Sequence, residues 1–299
     1  MSAEDEDFLK LSRISEDQAP YQILLNNYPL KEFLGLTPSE MHWIIYDPYG
    51  EDSEFQIKRV DNDVLDKIPF FLLAEYLLLI LYRDRKIKLT KKGCLPLKYC
   101  EELVKTKIIN ESIYEHETLK IIREDYLPSI RAVRIVLMLG GLVTCKNNTL
   151  TISQYGFQLL EEKNRQELFV VIFETFTDEF LWKYLDGYTS QLIGQLGFVF
   201  SISMLKHFGT DSHEANFYAH KYKEAFPLLE NHLRDSRFFP KNDQFISCYN
   251  LRVFQKFFNW FGLVNKDEHL TSNIEKCKYF KTDILDKLFE TPELLKQFL

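Results

Sequence analysis

The sequence predicts a mainly α protein with short β-hairpins, built as tandem winged-helix-like units packed with a helical bundle. Three observations predict it. Long apolar stretches carry helix-start and helix-stop signals. Polar or basic bends join them to short β-rich pieces. One such joint recurs three times along the 299 residues.

The elements follow in chain order. Residues 1–20 read as a loose acidic tail, with Glu4, Asp5, Glu6, Asp7, Glu16 and Asp17 against Lys10 and Arg13. Thr37-Pro38-Ser39-Glu40 spells a helix start. Thr37 is the N-cap, Pro38 the first helical residue, and Glu40 closes a capping box. Asp47-Pro48-Tyr49-Gly50 is a turn, and the polar stretch 51–67 is expected to loop over the surface. Ile68 to Tyr82 is the longest apolar run. It is too short to cross a bilayer and carries Glu75, so it reads as a buried core helix.

The recurring joint is an apolar helix, a basic or polar bend and a Leu-Thr pair, at Leu89-Thr90, Leu150-Thr151 and Leu270-Thr271. The spacings are 61 and 120 residues, the second close to twice the first. At the second and third joints the helix stops at Gly141 or Gly262. An apolar pair follows (Leu142-Val143, Leu263-Val264), then a polar turn (Lys146-Asn147-Asn148, Lys266-Asp267-Glu268) and a strand opening with Leu-Thr. That order is the text of a winged helix-turn-helix module, whose hairpin packs beside its last helix. Further helices are expected over 154–162 and 281–290. The apolar stretch 167–209 should form two helices broken at Asp186-Gly187-Tyr188, the second running from Gln191 to His207. Another helix over 215–233 is interrupted at Pro227. Two halves follow, 21–165 with two units and 166–299 with the third.

Composition narrows the function. No run of about 18 apolar residues occurs, and the acidic start does not resemble a secretory signal. Five cysteines (Cys94, Cys100, Cys145, Cys248, Cys277) are odd in number, scattered and without a CxxC, which fits a reducing cytosol. The net charge of −7 argues against general nucleic-acid affinity, but not against one basic patch on an acidic body. Such a patch exists: Arg83, Arg85, Lys86, Lys88, Lys91, Lys92 and Lys98 stand against the single acid Asp84. On a wing these side chains lie where phosphate is met, with Thr90 and the backbone near Gly93 as neutral donors. The bland alternative is a solvated surface hairpin. Lys120, Arg123, Arg131 and Arg134 form a second cluster, diluted by Glu117, Glu124 and Asp125 and expected to make internal ion pairs.

Catalytic chemistry has little to stand on. GxSxG, GxxxxGK[ST], GxGxxG and HExxH are all missing. His207, Asp211, His213, Glu214 and His220 are near one another in sequence, but without a metal-ligand spacing. Cys94 lies in the basic stretch, which would favour its thiolate, yet no base accompanies it and a structural role is expected. Carboxylate pairs such as Asp61/Asp63, Glu101/Glu102 and Asp178/Glu179 are ordinary in so acidic a chain. Phe254, Phe257, Phe258, Trp260 and Phe261 crowd more than one face of a helix, so either it is buried from all sides, the expected case, or one face is offered to a partner.

Three phrases carry a resemblance: LKEFLGLTPSEMHWIIYDPYG (30–50), IKLTKKGCLPLKYCEEL (87–103), and the Trp182–Pro227 stretch with WKYLDGY, GFVFSISMLKHFG and FYAHKYKEAFP. Together they resemble a group of uncharacterised bacterial proteins with variants of GGLSPEQMHxLLYxPF, LTxKGNLPxKxV and YxDGYP. This chain departs at Leu34, where the group has glycine, and at Cys94, where it has asparagine. The resemblance implies a bacterial cytosolic protein and no substrate, so no site residue is carried over from it. The expectation is a non-enzymatic binding protein without cofactor or metal, touching nucleic acid through Arg83–Lys98. The alternative is a protein–protein adaptor with degenerate units, and an enzyme of unrecognised type comes third.

Overall fold

The computed structural model describes residues 19–110, 122–267 and 277–294. The chain is mainly helical, with three small antiparallel sheets. Helices α1 (Ala19–Asn26) and α2 (Pro38–Tyr46) lead in. Helix α2 starts as its sequence predicts: the Glu40 amide donates to Thr37 Oγ1 at 3.1 Å, and the Thr37 amide donates back to Glu40 Oε2 at 2.6 Å. Leu34, where the resembling group has glycine, sits in the left-handed region with φ 55°. The 51–67 stretch is more than loop. It contains strand β1 (Gln56–Ile57) and a turn of helix, α3 (Asn62–Leu65).

One order of elements then occurs twice. Helix α4 (Pro69–Asp84), strand β2 (Ile87–Lys88), helices α5 (Leu97–Lys105) and α6 (Pro128–Leu139), and a hairpin of β3 (Val143–Lys146) and β4 (Thr149–Ile152) make the first set, with strand order β2-β4-β3. Short helix α7 (Gln154–Leu159), helix α8 (Arg165–Glu174) and a π-helical turn over Thr175–Glu179 connect to the second. That set is helix α9 (Phe198–Phe208), strand β5 (His213–Glu214), helices α10 (Ala215–Ala225) and α11 (Lys241–Tyr249), and strands β6 (Val264–Lys266) and β7 (Lys278–Lys281), in the order β5-β7-β6. Helix α11 widens into a nine-residue π-helix, Asn250–Phe258. Helix α12 (Asp283–Leu288) and strand β8 (Phe289–Glu290) end the described chain, and β8 pairs with β1.

The joints differ from their sequence reading in one respect. Leu89-Thr90 makes no ribbon of its own. Strand β2 pairs with β4, matching Ile87 to Leu150 and Lys88 to Thr149, and the Leu89 amide donates to Asn148 O at 2.9 Å. The first two joints are therefore parts of one sheet. The physical reason lies in Thr90–Cys94, which close on themselves instead of extending: Thr90 N–H donates to Cys94 O at 2.8 Å, Gly93 N–H to Thr90 O at 2.9 Å, and Gly93 has φ 74°. Gly141 and Gly262 stop their helices at φ 68° and 67°, as helix-ending glycines do. Leu270-Thr271 lies outside the described residues, as does most of residues 1–20.

The 191–207 stretch also departs from a single helix. Helix α9 starts only at Phe198, because Gly194 (φ 83°) and Gly197 (φ 62°) turn the chain first. Tyr222 holds that turn, accepting from the Gly194 amide at 3.1 Å and donating to Leu196 O at 2.7 Å. The expected helix over 154–162 stops at Leu159, and the one over 281–290 spans Asp283–Leu288. Pro227 does end the 215–233 helix, leaving a 3-10 segment, Pro227–His232.

What fills the centre is aromatic. Phe70 of α4 stacks on Trp260 (5.7 Å between centroids, 12° between planes) and meets Phe261 at 5.2 Å. Phe176, on the π-turn, meets Phe261 at 5.1 Å and Phe257 at 5.9 Å, and Trp182 meets Phe257 at 5.0 Å. All five crowded aromatics are thus buried, and only a stripe through Leu251, Gln255 and Asn259 is less covered. The third helix of each set faces inward. On α6 only Leu139 is exposed, and from Lys241 to Phe258 only Asn242 and Asp243 are. Glu75, the lone charge in the apolar run, accepts from Arg165 Nε at 2.7 Å, and Arg165 also reaches Asp66 at 2.8 Å. Among the described residues, no helix is long and apolar enough to cross a membrane.

Removing a ring from the middle of this cluster leaves a cavity that neighbouring rigid rings cannot fill. Phe176→Ala should therefore lower unfolding free energy by about 3–5 kcal/mol. Phe238→Ala, at a fully exposed ring, should change it by less than about 0.5 kcal/mol. Urea unfolding of the two variants beside the parent checks the contrast.

Candidate functional site

The seven basic residues of 83–98 do not act as one group. Arg83 is committed: its Nε donates to Asp84 Oδ1 at 2.7 Å and its Nη1 to Glu102 Oε1 at 2.6 Å. The Arg83 hydrogen bond, helped by Tyr99, draws the Asp84 carboxyl down to about 2, and Arg83 likewise lowers that of Glu102. Lys98 lies over the Tyr99 ring at 4.3 Å, while the Tyr99 hydroxyl donates to Asp84 Oδ2 at 2.9 Å. Arg85 leans on the Tyr82 ring at 5.3 Å. Lys86, Lys88, Lys91 and Lys92 are exposed and make no ion pair among the described residues.

Register explains which way these lysines point. Ile87 and Leu150, opposite one another on β2 and β4, are buried, so their face of the sheet is the inner one. The next row, Lys88–Thr149–Lys146, crosses all three strands on the outer face. Lys88 and Lys146 are two strands apart, roughly 10 Å between backbones. Thr144 and Thr151 form the adjacent outward row, their hydroxyls 2.9 Å apart.

The hairpin tip is locked to the neighbouring turn. Asn147 and Asn148 take the left-handed conformation (φ 49° and 58°) of a tight hairpin loop, which asparagine tolerates. The Asn148 amide then donates to Leu89 O at 3.1 Å and Thr90 O at 2.8 Å. That clip brings the Lys91-Lys92 turn beside the end of the sheet. Sequence reading missed Lys146, Thr144, Thr149 and Thr151 as site residues. The signal was present, since Lys146-Asn147-Asn148 is a hairpin-turn text, but its partner strand lies 59 positions upstream at Leu89.

Behind the turn is a cleft of about 220 Å³ lined by Lys91, Lys92, Cys94, Arg123, Glu124 and Asp125. Its lining mixes Lys91, Lys92 and Arg123 with Glu124 and Asp125, and the two carboxylates, not the lysines, set the surroundings of Cys94. The Cys94 thiol donates to Asp125 at 3.5 Å, and burial together with Glu124 and Asp125 pushes its acidity the wrong way for a nucleophile. Glu124 is buried, accepting from Leu95 N–H at 2.5 Å and from Arg134 at 2.7 Å. Arg123 pairs with Asp125 at 3.6 Å, and Lys120 lies outside the described residues. Among the described residues no three His, Cys, Asp or Glu side chains gather as metal ligands. His213 instead stacks on Phe217 at 4.5 Å.

Comparison of the chain with family models, with curated proteins and with solved structures finds no match. The site must be read from its own geometry.

The DGY phrase has a structural explanation. Arg252, fully buried on the π-helix, donates Nε to Asp186 Oδ2 at 2.7 Å, Nη1 to Ile193 O at 2.9 Å and Nη2 to Ser190 O at 2.9 Å. One turn on, Lys256 Nζ donates to Leu185 O at 2.6 Å. The pair ties the 185–193 loop to the core.

Asp186→Ala leaves a guanidinium buried without its counter-ion and should cost about 3–5 kcal/mol in urea unfolding. Replacing both partners by apolar residues (Asp186→Leu with Arg252→Met) should recover most of that loss. Thiol reactivity gives a separate check. Cys145 is exposed, while burial raises Cys100 and Cys248 to about 12. Ellman's reagent at pH 8 should label one thiol rapidly in the folded chain, and Cys145→Ser should abolish that fast phase.

Proposed function

We propose that the chain is a non-enzymatic binding protein of winged-helix type, holding phosphate backbone of nucleic acid on the outer face of its first sheet. The helix–strand–helix–helix–hairpin order, with the first strand beside the last, favours two winged-helix-like units. The single observation that carries the phosphate reading is the outward row Lys88–Thr149–Lys146, with Lys91 and Lys92 clipped beside it. Ammonium groups without carboxylate partners, next to neutral hydroxyl donors, suit phosphate oxygens. The third helix of each unit, which in this fold type reads bases, offers little free surface: six residues of α6 are buried and only Leu139 is exposed, which favours contact with backbone, largely independent of sequence. Five free thiols favour a reducing cytosol.

A second reading makes the chain a protein–protein adaptor. It is favoured by the net charge of −7 and by the burial of both third helices.

Salt titration separates them. Four lysine–phosphate contacts predict a slope of log affinity against log salt of roughly −3.6, hence about a hundredfold loss between about 50 and 200 mM salt. Lys88→Glu with Lys146→Glu should abolish binding to a random duplex, whereas Arg83→Ala should leave the slope unchanged. Asp84→Asn with Glu102→Gln frees Arg83 and should steepen it by about 0.9. Because Asp84 is held at about 2, lowering pH from 8 to 5 should not release Arg83 in the parent chain. No binding at about 50 mM salt would end the phosphate reading and leave the adaptor.

A further inference from the structure

The second set carries a lysine that its surroundings leave without a counter-ion. Lys206, in the last turn of α9, lines a cleft of about 370 Å³ together with His207, Lys281 of β7, Asp286 of α12, Thr291 and Glu293. The residue is half-buried, and its amine donates to Phe289 O at 3.0 Å, where β8 pairs with β1. Among the described residues it makes no ion pair. Asp286 is already taken: Lys281 Nζ holds it at 2.8 Å and also donates to Lys206 O at 3.1 Å. Glu290 and Glu293 are exposed. Lys58, which follows β1 and likewise has no ion pair among the described residues, is near enough to repel the Lys206 charge. Burial first, and Lys58 second, hold the Lys206 amine below the usual lysine range. Lys281 adds to this, while Asp286 and Glu290 oppose it.

A lysine amine that gives up its proton easily, in a cleft and without a carboxylate to hold the charge, is a nucleophile towards carbonyl groups. We propose that Lys206 holds a small aldehyde in this cleft as a reversible imine, and that the aldehyde carries a phosphate or carboxylate. The amine nitrogen bonds to the carbonyl carbon, the carbon–oxygen bond breaks, and the oxygen leaves as water with the two amine hydrogens. Nothing is oxidised or reduced, so no further reactant is needed. The cleft has the volume of a small-molecule site. The hydrogen bond to Phe289 O fixes where the nitrogen stands. Lys58 supplies the cation for the anionic group, since Lys281 is spent on Asp286. An amine that only fastens β8 to α9 needs a donor, which arginine also provides. An imine needs a primary amine, which arginine lacks. The site belongs to the second set and is independent of the phosphate reading of the first sheet.

Pyridoxal phosphate, an aldehyde bearing a phosphate, is the probe, used with the full chain. At substoichiometric probe, borohydride reduction and peptide mapping should find the adduct on Lys206, and Lys206→Arg should abolish it. Lys58→Gln should raise the pyridoxal phosphate concentration at half-labelling roughly tenfold, the order of one charged contact, and leave that of uncharged benzaldehyde unchanged. Equal effects on both aldehydes would overturn the anionic class of ligand. Should Lys206→Arg fail to fold, the parent chain alone decides. Trace acetylation of Lys206 should reach half its plateau at a lower pH in the folded chain than in the urea-unfolded one. Adducts on Lys88, Lys91 or Lys146 in place of Lys206 would overturn the proposal. So would an undiminished adduct yield in Lys206→Arg, or the same half-plateau pH folded and unfolded. None of these outcomes involves nucleic acid.

Discussion

The stacking of Phe70 on Trp260, with Phe176, Phe257 and Phe261 closing around it, is the contact on which the rest of the architecture depends. It joins the first helix of one set to the third helix of the other through the π-turn between them. Aromatic pairs at these separations add specific geometry to the area they bury, and rigid rings leave few alternative packings. With this cluster in place, α11 is mostly covered, while α6 buries one face and leaves Arg131, Ile135, Met138 and Leu139 half-buried or exposed on the other. The sheet of β2, β4 and β3, by contrast, keeps Lys88, Thr144 and Lys146 on its outer face and its turns exposed.

Charge is sorted by the same packing. Arg252, Lys256 and Glu124 are buried, and each hydrogen-bonds a fixed loop: 185–193 for the first two, and Leu95 for the third, which Arg134 also holds. Burying ions is costly, and an apolar pair of similar size is often as stable. What these ions supply here is position. Arg252 holds three points of one irregular loop, and Glu124 holds the start of α5 against the helix carrying Arg134. At the surface, Arg83 is tied to carboxylates while Lys88, Lys91, Lys92 and Lys146 are not, so the run of basic residues in the sequence overstates how many cations are available.

Local signals were legible and long-range ones were not. Thr37 and Glu40, Gly141 and Gly262, and Pro227 act through neighbours a few residues away, and capping chemistry suffices to read them; the aromatics around Phe257 are legible as core from their density alone, since their partners Phe70 and Phe176 are far off in sequence. The pairing of Ile87 with Leu150 was not legible, because two-residue β2 has no alternation of its own and its partner is 63 positions on. That is why the first two joints read as separate ribbons although they share one sheet. The basic stretch was visible, but its division into tied and free cations depends on Glu102, nineteen residues beyond Arg83, and on Asn148 reaching back to Thr90. Cys94 shows the same limit: its sequence neighbours are lysines, while its spatial ones are Glu124 and Asp125.

Native-state hydrogen exchange tests most directly whether the two third helices form the common centre. Amides of Val133–Leu137 and Phe254–Phe258 should exchange only through global unfolding, with the full denaturant dependence of the whole chain, while those of the Val143–Ile152 hairpin should open at lower free energy. Local opening of α6 or of the 254–258 segment ahead of α5 and α10 would contradict the account, since a helix that opens by itself cannot be the part on which the others are packed.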